Sequence, residues 1–375
     1  MAKKVVGTRP KPLEPVPMKN DDFIQLDNRV TSERIPEELV SEHVRIPIYV
    51  KDGKFEPKIV KSKNEGGGWE IELPLESSLV SAGQLLERVS VQEIQHGLSE
   101  KVDTEPNMPK WVDYTPHNKI SSASMDMMYR INGKPIVPHY GVFGTDDRQV
   151  YYPSGYPWHC VGRVFVWNDA SKPNWSWYGS AVLIGNRTIL TAGHVVPWNS
   201  KNWAMKFVPA YYDGASLLGN QVSSWVTTAR GYNTNNSVSA WDMAVCRLDQ
   251  PLGRSYGYFG AKTYSSSWEG GNYWTLAGYP SAVSGGNRPS RIMWFPTVDD
   301  DTDGNATEVE YYADQTGGNS GGPVFGFWDG LPYVVGTVSG GEKTTFFWFT
   351  IEDVNVAAGG SAIVDLIRWA RNNWT

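Results

Sequence analysis

The stretch Gly317-Gly318-Asn319-Ser320-Gly321-Gly322-Pro323 sets one serine among four glycines, with apolar, strand-like sequence on both sides. Attack on a carbonyl carbon needs an exposed hydroxyl beside amide N–H groups that converge where negative charge develops, and glycine lets a backbone turn that tightly. The stretch therefore reads as a nucleophile loop, with Ser320 as the nucleophile and the amides of Gly318 and Ser320 as its oxyanion hole. A plain Gly/Ser connection between strands has the same composition. The choice between the two rests on what else the chain carries.

A serine hydroxyl is a poor nucleophile until a base takes its proton, and the base needs an anion to hold its tautomer and stabilise its positive charge. Thr188-Ile189-Leu190-Thr191-Ala192-Gly193-His194-Val195 is a β-rich run that ends in a histidine at a tight Ala-Gly turn. Trp241-Asp242-Met243-Ala244-Val245-Cys246-Arg247-Leu248 puts one aspartate at the head of a mostly apolar strand, where a carboxylate invites burial beside a partner. After residue 140 the only histidines are His159 and His194, and His159 sits inside a strand-like approach, Pro157-Trp158-His159-Cys160, that suits a structural role.

The order His194, Asp242, Ser320, with these flanks, resembles the chymotrypsin-like serine proteases over roughly the last 235 residues. Gly317 to Val324 is similar to the nucleophile loop of the bacterial-type glutamyl endopeptidase branch, and Gly141 to Arg148 looks like that branch's mature amino terminus. The resemblance implies a two-barrel endopeptidase that acts on proteins or peptides through an acyl-enzyme, made as a secreted, monomeric precursor and cut near residues 140–142. It requires no cofactor. Ser339, in Val338-Ser339-Gly340-Gly341, matches the family serine that bonds the triad carboxylate, and the glycines after it match the wall along which substrate backbone pairs.

Two departures bear on regulation and specificity. Asn319 stands where the trypsin branch has the aspartate that captures a freed amino terminus, so that switch is expected to be missing. Val338 stands where the glutamyl branch has a histidine that reads acidic substrates. Asp314 lies six residues before Ser320, the spacing of the trypsin-branch carboxylate at the floor of the primary pocket, so Asp314 and its neighbour Gln315 are candidate substrate-binding residues for a basic side chain. The rival expectation is a pocket narrowed by Phe346 or Phe347 for small or apolar residues, with Asp314 pointing to solvent.

Strand-like runs between turn signals give six segments over 160–248 and six over 273–351, an all-β pair of six-stranded antiparallel Greek-key barrels at about 141–250 and 251–360. A helix follows at 361–372, capped by Ser361, with Ile363, Leu366, Ile367, Ala370 and Trp374 on one face. Residues 1–140 form a partly ordered pro-region, rich in Lys, Glu, Asp and Pro at the start, loosely helical over 77–98, and proline-rich and tether-like from 102. A permanent accessory domain is the alternative reading of that region. If it occludes the cleft for good, the whole chain becomes a protease-fold binding protein.

Charge excludes little except nucleic acid: residues 1–140 carry 19 basic and 21 acidic groups and the remainder 15 and 19, so neither half is a basic surface. No run is long and apolar enough for a membrane span, and the first thirty residues hold no hydrophobic export segment. The two cysteines, Cys160 and Cys246, lie in strand-like runs and could pair or stay as buried thiols. Asp299-Asp300-Asp301-Thr302-Asp303-Gly304, with Glu310 in twelfth position, fits the spacing of a calcium loop through Asp299, Asp301, Asp303 and Glu310, although its flanks read as strands and a solvated acidic hairpin is the competing reading.

Overall fold

The computed structural model describes residues 86–98, 102–114, 146–233, 240–346 and 349–375, with short pieces at 17, 58–60, 70–72 and 142–143. Early in the chain, β1 (Lys58–Val60) and β2 (Glu70–Glu72) form a two-stranded ribbon. Then come β3 (Leu86–Val89), the short helix α1 (Val91–His96) and β4 (Gln149–Val150).

The first barrel uses β5 (Val161–Trp167), β6 (Trp177–Gly185), β7 (Thr188–Thr191), β8 (Ala204–Pro209), β11 (Ser224–Tyr232) and β12 (Ala244–Leu248), with a small ribbon of β9 (Tyr211–Tyr212) and β10 (Ala215–Ser216) outside it. Hydrogen bonding runs β12-β7-β6-β5-β8-β11 and returns from β11 to β12, so the sheet closes on itself, and β3 adds to β11 beyond the short stretch that β8 pairs. All six are the segments expected from sequence. Val164, Leu183, Ile189, Phe207 and Cys246 share one face of this sheet by register and are fully buried.

A short helix α2 (Leu252–Tyr256) and β13 (Gly260–Ala261) lead to the second unit, which holds β14 (Trp274–Gly278), β15 (Ser290–Phe295), β16 (Thr297–Asp303), β17 (Ala306–Tyr311), β18 (Pro323–Trp328), β19 (Leu331–Phe346) and β20 (Phe349–Gly360). Its hydrogen-bonded path is β16-β17-β20-β19-β18-β14-β15-β4. Near the far end of that path, β15 continues through the single residue Pro296 into β16 at the other end, so the chain itself joins the two sides. Trp274, Leu276, Tyr311, Val324, Trp328, Val335 and Val338 fill this second core.

β20 extends well past the expected strand end near 351, because Val354 to Gly360 is a run of small and branched residues buried between β17 and β19. The fit there is close: a Cβ on Gly336 would lie 2.9 Å from Ala357 Cβ. The terminal helix, α3 (Ser361–Asn373), buries Ile363, Leu366, Ile367 and Ala370. Ser361 is its first residue rather than its cap. Gly360 takes that place at φ = 82°, and the Ser361 hydroxyl donates instead to the Asn305 carbonyl.

The amino-terminal expectation changes more. Over the described part of 77–98 the loosely helical spacing gives way to a strand and a single short helix, and 102–114 lies against the barrels instead of spanning freely. Cys160 and Cys246 are buried free thiols, and burial raises both above the ordinary thiol range.

Candidate active site

Between the two units, Thr191 ends β7 and the chain makes a tight turn through Ala192, Gly193 and His194. Two indoles fix that turn: Trp198 Nε1 donates to the Gly193 carbonyl at 2.7 Å and Trp177 Nε1 to the Val195 carbonyl at 2.9 Å. Glycine is required at 193, since a Cβ there would stand 2.9 Å from Asp242 Oδ1. Because the turn comes so near, the Asp242 carboxylate receives the His194 backbone N–H on Oδ1 at 2.8 Å and its ring Nδ1 on Oδ2 at 2.6 Å.

Oδ2 also accepts the Ser339 hydroxyl at 2.6 Å. Ser339 falls where the pairing of β19 with β20 shifts register, between Val338 and Gly340, and a bulge of this kind re-aims a side chain. Asp242 is 4% exposed. Burial pushes its pKa up, but the His194 charge and the hydrogen bonds from His194 and Ser339 outweigh burial and hold the carboxyl below its ordinary value. For His194, burial pulls the imidazole down, and the Asp242 charge with its hydrogen bond more than compensates, so the ring titrates above the usual histidine range.

The loop around Ser320 lies against Gly179 and Ser180 of β6. A Cβ on Gly179 would meet both the Ser320 carbonyl and Val195 Cγ2 at 2.9 Å, so the residue after His194 and the backbone of Ser320 both crowd the same glycine. Ser180 clamps the loop, its N–H donating to the Ser320 carbonyl at 2.8 Å and its hydroxyl to the Gly318 carbonyl at 2.7 Å. Gly318 and Gly321 adopt φ of 96° and 84°, conformations closed to most side chains.

Carbonyl anchors also fix where the two candidate oxyanion amides point. In a trans peptide the C=O and the following N–H are directed oppositely. The Gly317 carbonyl accepts from Ser281 N–H at 2.6 Å, so the Gly318 N–H points away from Ser281; the Asn319 carbonyl accepts from Gly322 N–H at 2.7 Å, so the Ser320 N–H points away from Gly322. The Gly321 N–H and Val338 carbonyl, and the Val338 N–H and Gly322 carbonyl, each pair at 2.8 Å and tie the loop to β19.

The candidate substrate-binding residues meet different fates. Gln315 is buried, donating to the Gly340 carbonyl and accepting from Tyr311, so it braces the Ser339-Gly340-Gly341 wall from behind. Asp314 is 2% exposed, and its oxygens accept the backbone N–H groups of Phe143 at 2.7 Å and Asp147 at 2.8 Å. It does not face solvent, and its carboxylate is engaged by the segment that leads into the barrels. Arg148 adds a bond from Nη1 to Thr316 Oγ1 at 2.7 Å and pairs with Asp146. Val338 is fully buried in the second core, and the side chains of Phe346 and Phe347 lie outside those described.

Sequence reading missed Trp198, Ser180, Arg148 and Thr316; the last three act through partners distant in the chain, and Trp198 through the Gly193 carbonyl five residues before it. His159 is the structural residue it was expected to be, buried with Nε2 2.6 Å from the Tyr256 carbonyl, and burial lowers it to about 4. The acidic stretch is a β-hairpin: Asp299 lies opposite Glu310 across β16 and β17, Asp303 accepts from Trp241 Nε1, and among the described residues no three His, Cys, Asp or Glu side chains gather as metal ligands.

Residues 163–346 match the family model described as Trypsin. The chain is 28% identical over 191 residues to a glutamyl endopeptidase of Bacillus licheniformis, covering 49% of this chain and 54% of that protein. It is 26% identical over 189 residues to an extracellular metalloprotease of Bacillus subtilis, covering 49% and 57%. The chain thus spans about half the length of the curated relatives it matches. A solved Glu endopeptidase in complex with MPD aligns with 62% of this chain and 99% of its own at 20% identity and a TM-score of 0.46.

Proposed function

We propose, from the match of residues 163–346 to the Trypsin family model and the 28% identity to a glutamyl endopeptidase, that the chain is a secreted, chymotrypsin-like serine endopeptidase with a His194-Asp242-Ser320 triad. The observation that carries the reading is the Asp242 carboxylate, buried and bonded at once by the backbone and ring of His194 and by Ser339. That arrangement presents a histidine in one tautomer, Nδ1–H toward Asp242, and leaves Nε2 as the basic nitrogen.

Ser320 Oγ attacks the scissile carbonyl while His194 Nε2 takes its proton, and the imidazolium so formed is stabilised by Asp242. The Gly318 and Ser320 N–H groups receive the developing oxyanion, and collapse of the tetrahedral intermediate passes the proton from His194 to the leaving amine. Water then repeats the sequence to release the acyl group. Substrate backbone pairs along Ser339 to Gly341. Burial of Val338 and the engagement of Asp314 supply no charge to read an acidic or a basic side chain, which favours small or apolar residues before the cleaved bond.

Activation is by cleavage near Tyr140 to Val142, just ahead of the segment that Asp314 and Thr316 hold. A fluorophosphonate probe tests the chemistry: it labels the wild-type chain at Ser320 and leaves Ser320→Ala unlabelled. Failure to label the chain either uncut or cut near residue 141 overturns the reading.

A further inference from the structure

The amino-terminal region divides into parts with different relations to the barrels. β3 lies parallel to β11, Leu86 to Val89 opposite Ala229 to Tyr232, on the edge that β8 covers only at Ser224 and Trp225. Without β3 those backbone groups of β11 would be an open strand edge. Arg230 pairs with Glu87, and the Asn233 N–H bonds the Val89 carbonyl. Ile94 of α1 is fully buried in the first core, and Gly97 sits so close to α3 that a Cβ would come within 2.4 Å of Trp369 Nε1.

The next residues are held as firmly. Asn107 and Tyr258 exchange both backbone bonds, Ala261 N–H donates to the Thr104 carbonyl, and Tyr156 N–H to the Asp113 carbonyl. Arg371 is the knot: its buried guanidinium donates to the Asp103 and Glu105 carbonyls on one side and to the Ile184 and Phe259 carbonyls on the other. The segment also reaches the site, because Arg88 stacks 5.1 Å over Trp198, the indole that fixes Gly193 beside His194.

We propose that residues 86–114 stay on the protease body after the chain is cut between 115 and 142, as a second, non-covalently held polypeptide that activity requires. Only the rest of the amino-terminal region is then dispensable. The activity part rests on the peptidase reading above; retention does not.

The test uses the full-length Ser320→Ala chain with a site-specific protease's recognition sequence placed within 115–141. After cutting, native size-exclusion chromatography with mass spectrometry should find both fragments in one peak, parting only in denaturant. Elution of the 86–114 fragment apart from the body in native buffer overturns the proposal. Ile94→Glu, in the same cut chain, should release the fragment; equal retention would show that the described contacts do not hold it.

The activity arm repeats the cut with Ser320 intact. Cut Ile94→Glu should lose turnover that the cut Ile94 chain keeps, and undiminished turnover after release overturns the requirement. If no form of the chain hydrolyses a peptide, the peptidase reading fails while co-elution still decides retention.

Discussion

Ser339 donates its hydroxyl to the same oxygen of Asp242 that receives the ring of His194. One carboxylate oxygen thus serves two partners and is oriented by both. Removing the hydroxyl leaves Asp242 buried with one bond fewer, and Ser339→Ala should lower kcat by about tenfold, the effect of roughly 1–2 kcal/mol of lost hydrogen bonding. Steady-state kinetics on an unstructured peptide checks it, and unchanged kcat would mean that Ser339 only fills space.

Ser320→Ala and His194→Ala should each abolish nearly all turnover with the melting temperature little changed, because the triad works as a unit. Asp242→Asn should cost about four orders of magnitude, as in other triads of this geometry. Its residual activity carries a second sign. Only the neutral His194 ring accepts a proton, so wild-type activity rises with pH through the His194 pKa, which the Asp242 charge holds above the ordinary value. Without that charge the acid limb of the pH–rate profile should move to lower pH, and a limb that stays in place would contradict the pairing.

Asp314→Ala should destabilise the fold by about 1–3 kcal/mol, since it removes the charged acceptor of the part-buried Phe143 and Asp147 hydrogen bonds. The preference before the cleaved bond should not change. Denaturant unfolding and a peptide-library digest measure the two effects separately, and a selective loss of cleavage after Lys and Arg would restore the specificity role read from spacing.

His159 makes the fold sensitive to acid. Its folded pKa, lowered to about 4, lies below the value near 6.5 expected when unfolded, so the unfolded chain binds the extra proton first. Stability is therefore full above pH ~6.5 and falls by roughly 3 kcal/mol as pH drops toward ~4. His159→Gln, which can still donate to the Tyr256 carbonyl, should flatten the melting-temperature profile across that window relative to wild type. Parallel profiles would discard the assignment.

Each residue of the proposed triad could be read from local sequence: a turn glycine before His194, an apolar strand after Asp242, glycines around Ser320. Strand positions followed for the same reason. What sequence hid is set by partners far along the chain. Nothing near Asp314 signals that amides 167 and 171 positions upstream occupy it, and nothing in Leu86-Glu87-Arg88-Val89 names β11 as its neighbour. Small residues misled in their own way: Ala357 to Gly360 carry weak strand preference, yet only small side chains fit between β17 and β19.

The Arg371 knot also orders events in time. The Asp103 carbonyl waits for a guanidinium that lies 268 residues further along, and β3 waits for β11. Synthesis delivers residues 86–114 long before their binding face exists, so β3 stays unpaired until β11 is made and the Asp103 carbonyl until α3 follows. Closing so long a loop is slow, and it comes after the local hairpins have formed. A ribosome stalled before α3 would therefore hold a chain whose barrels can pair but whose amino-terminal segment lacks the cation that fastens it.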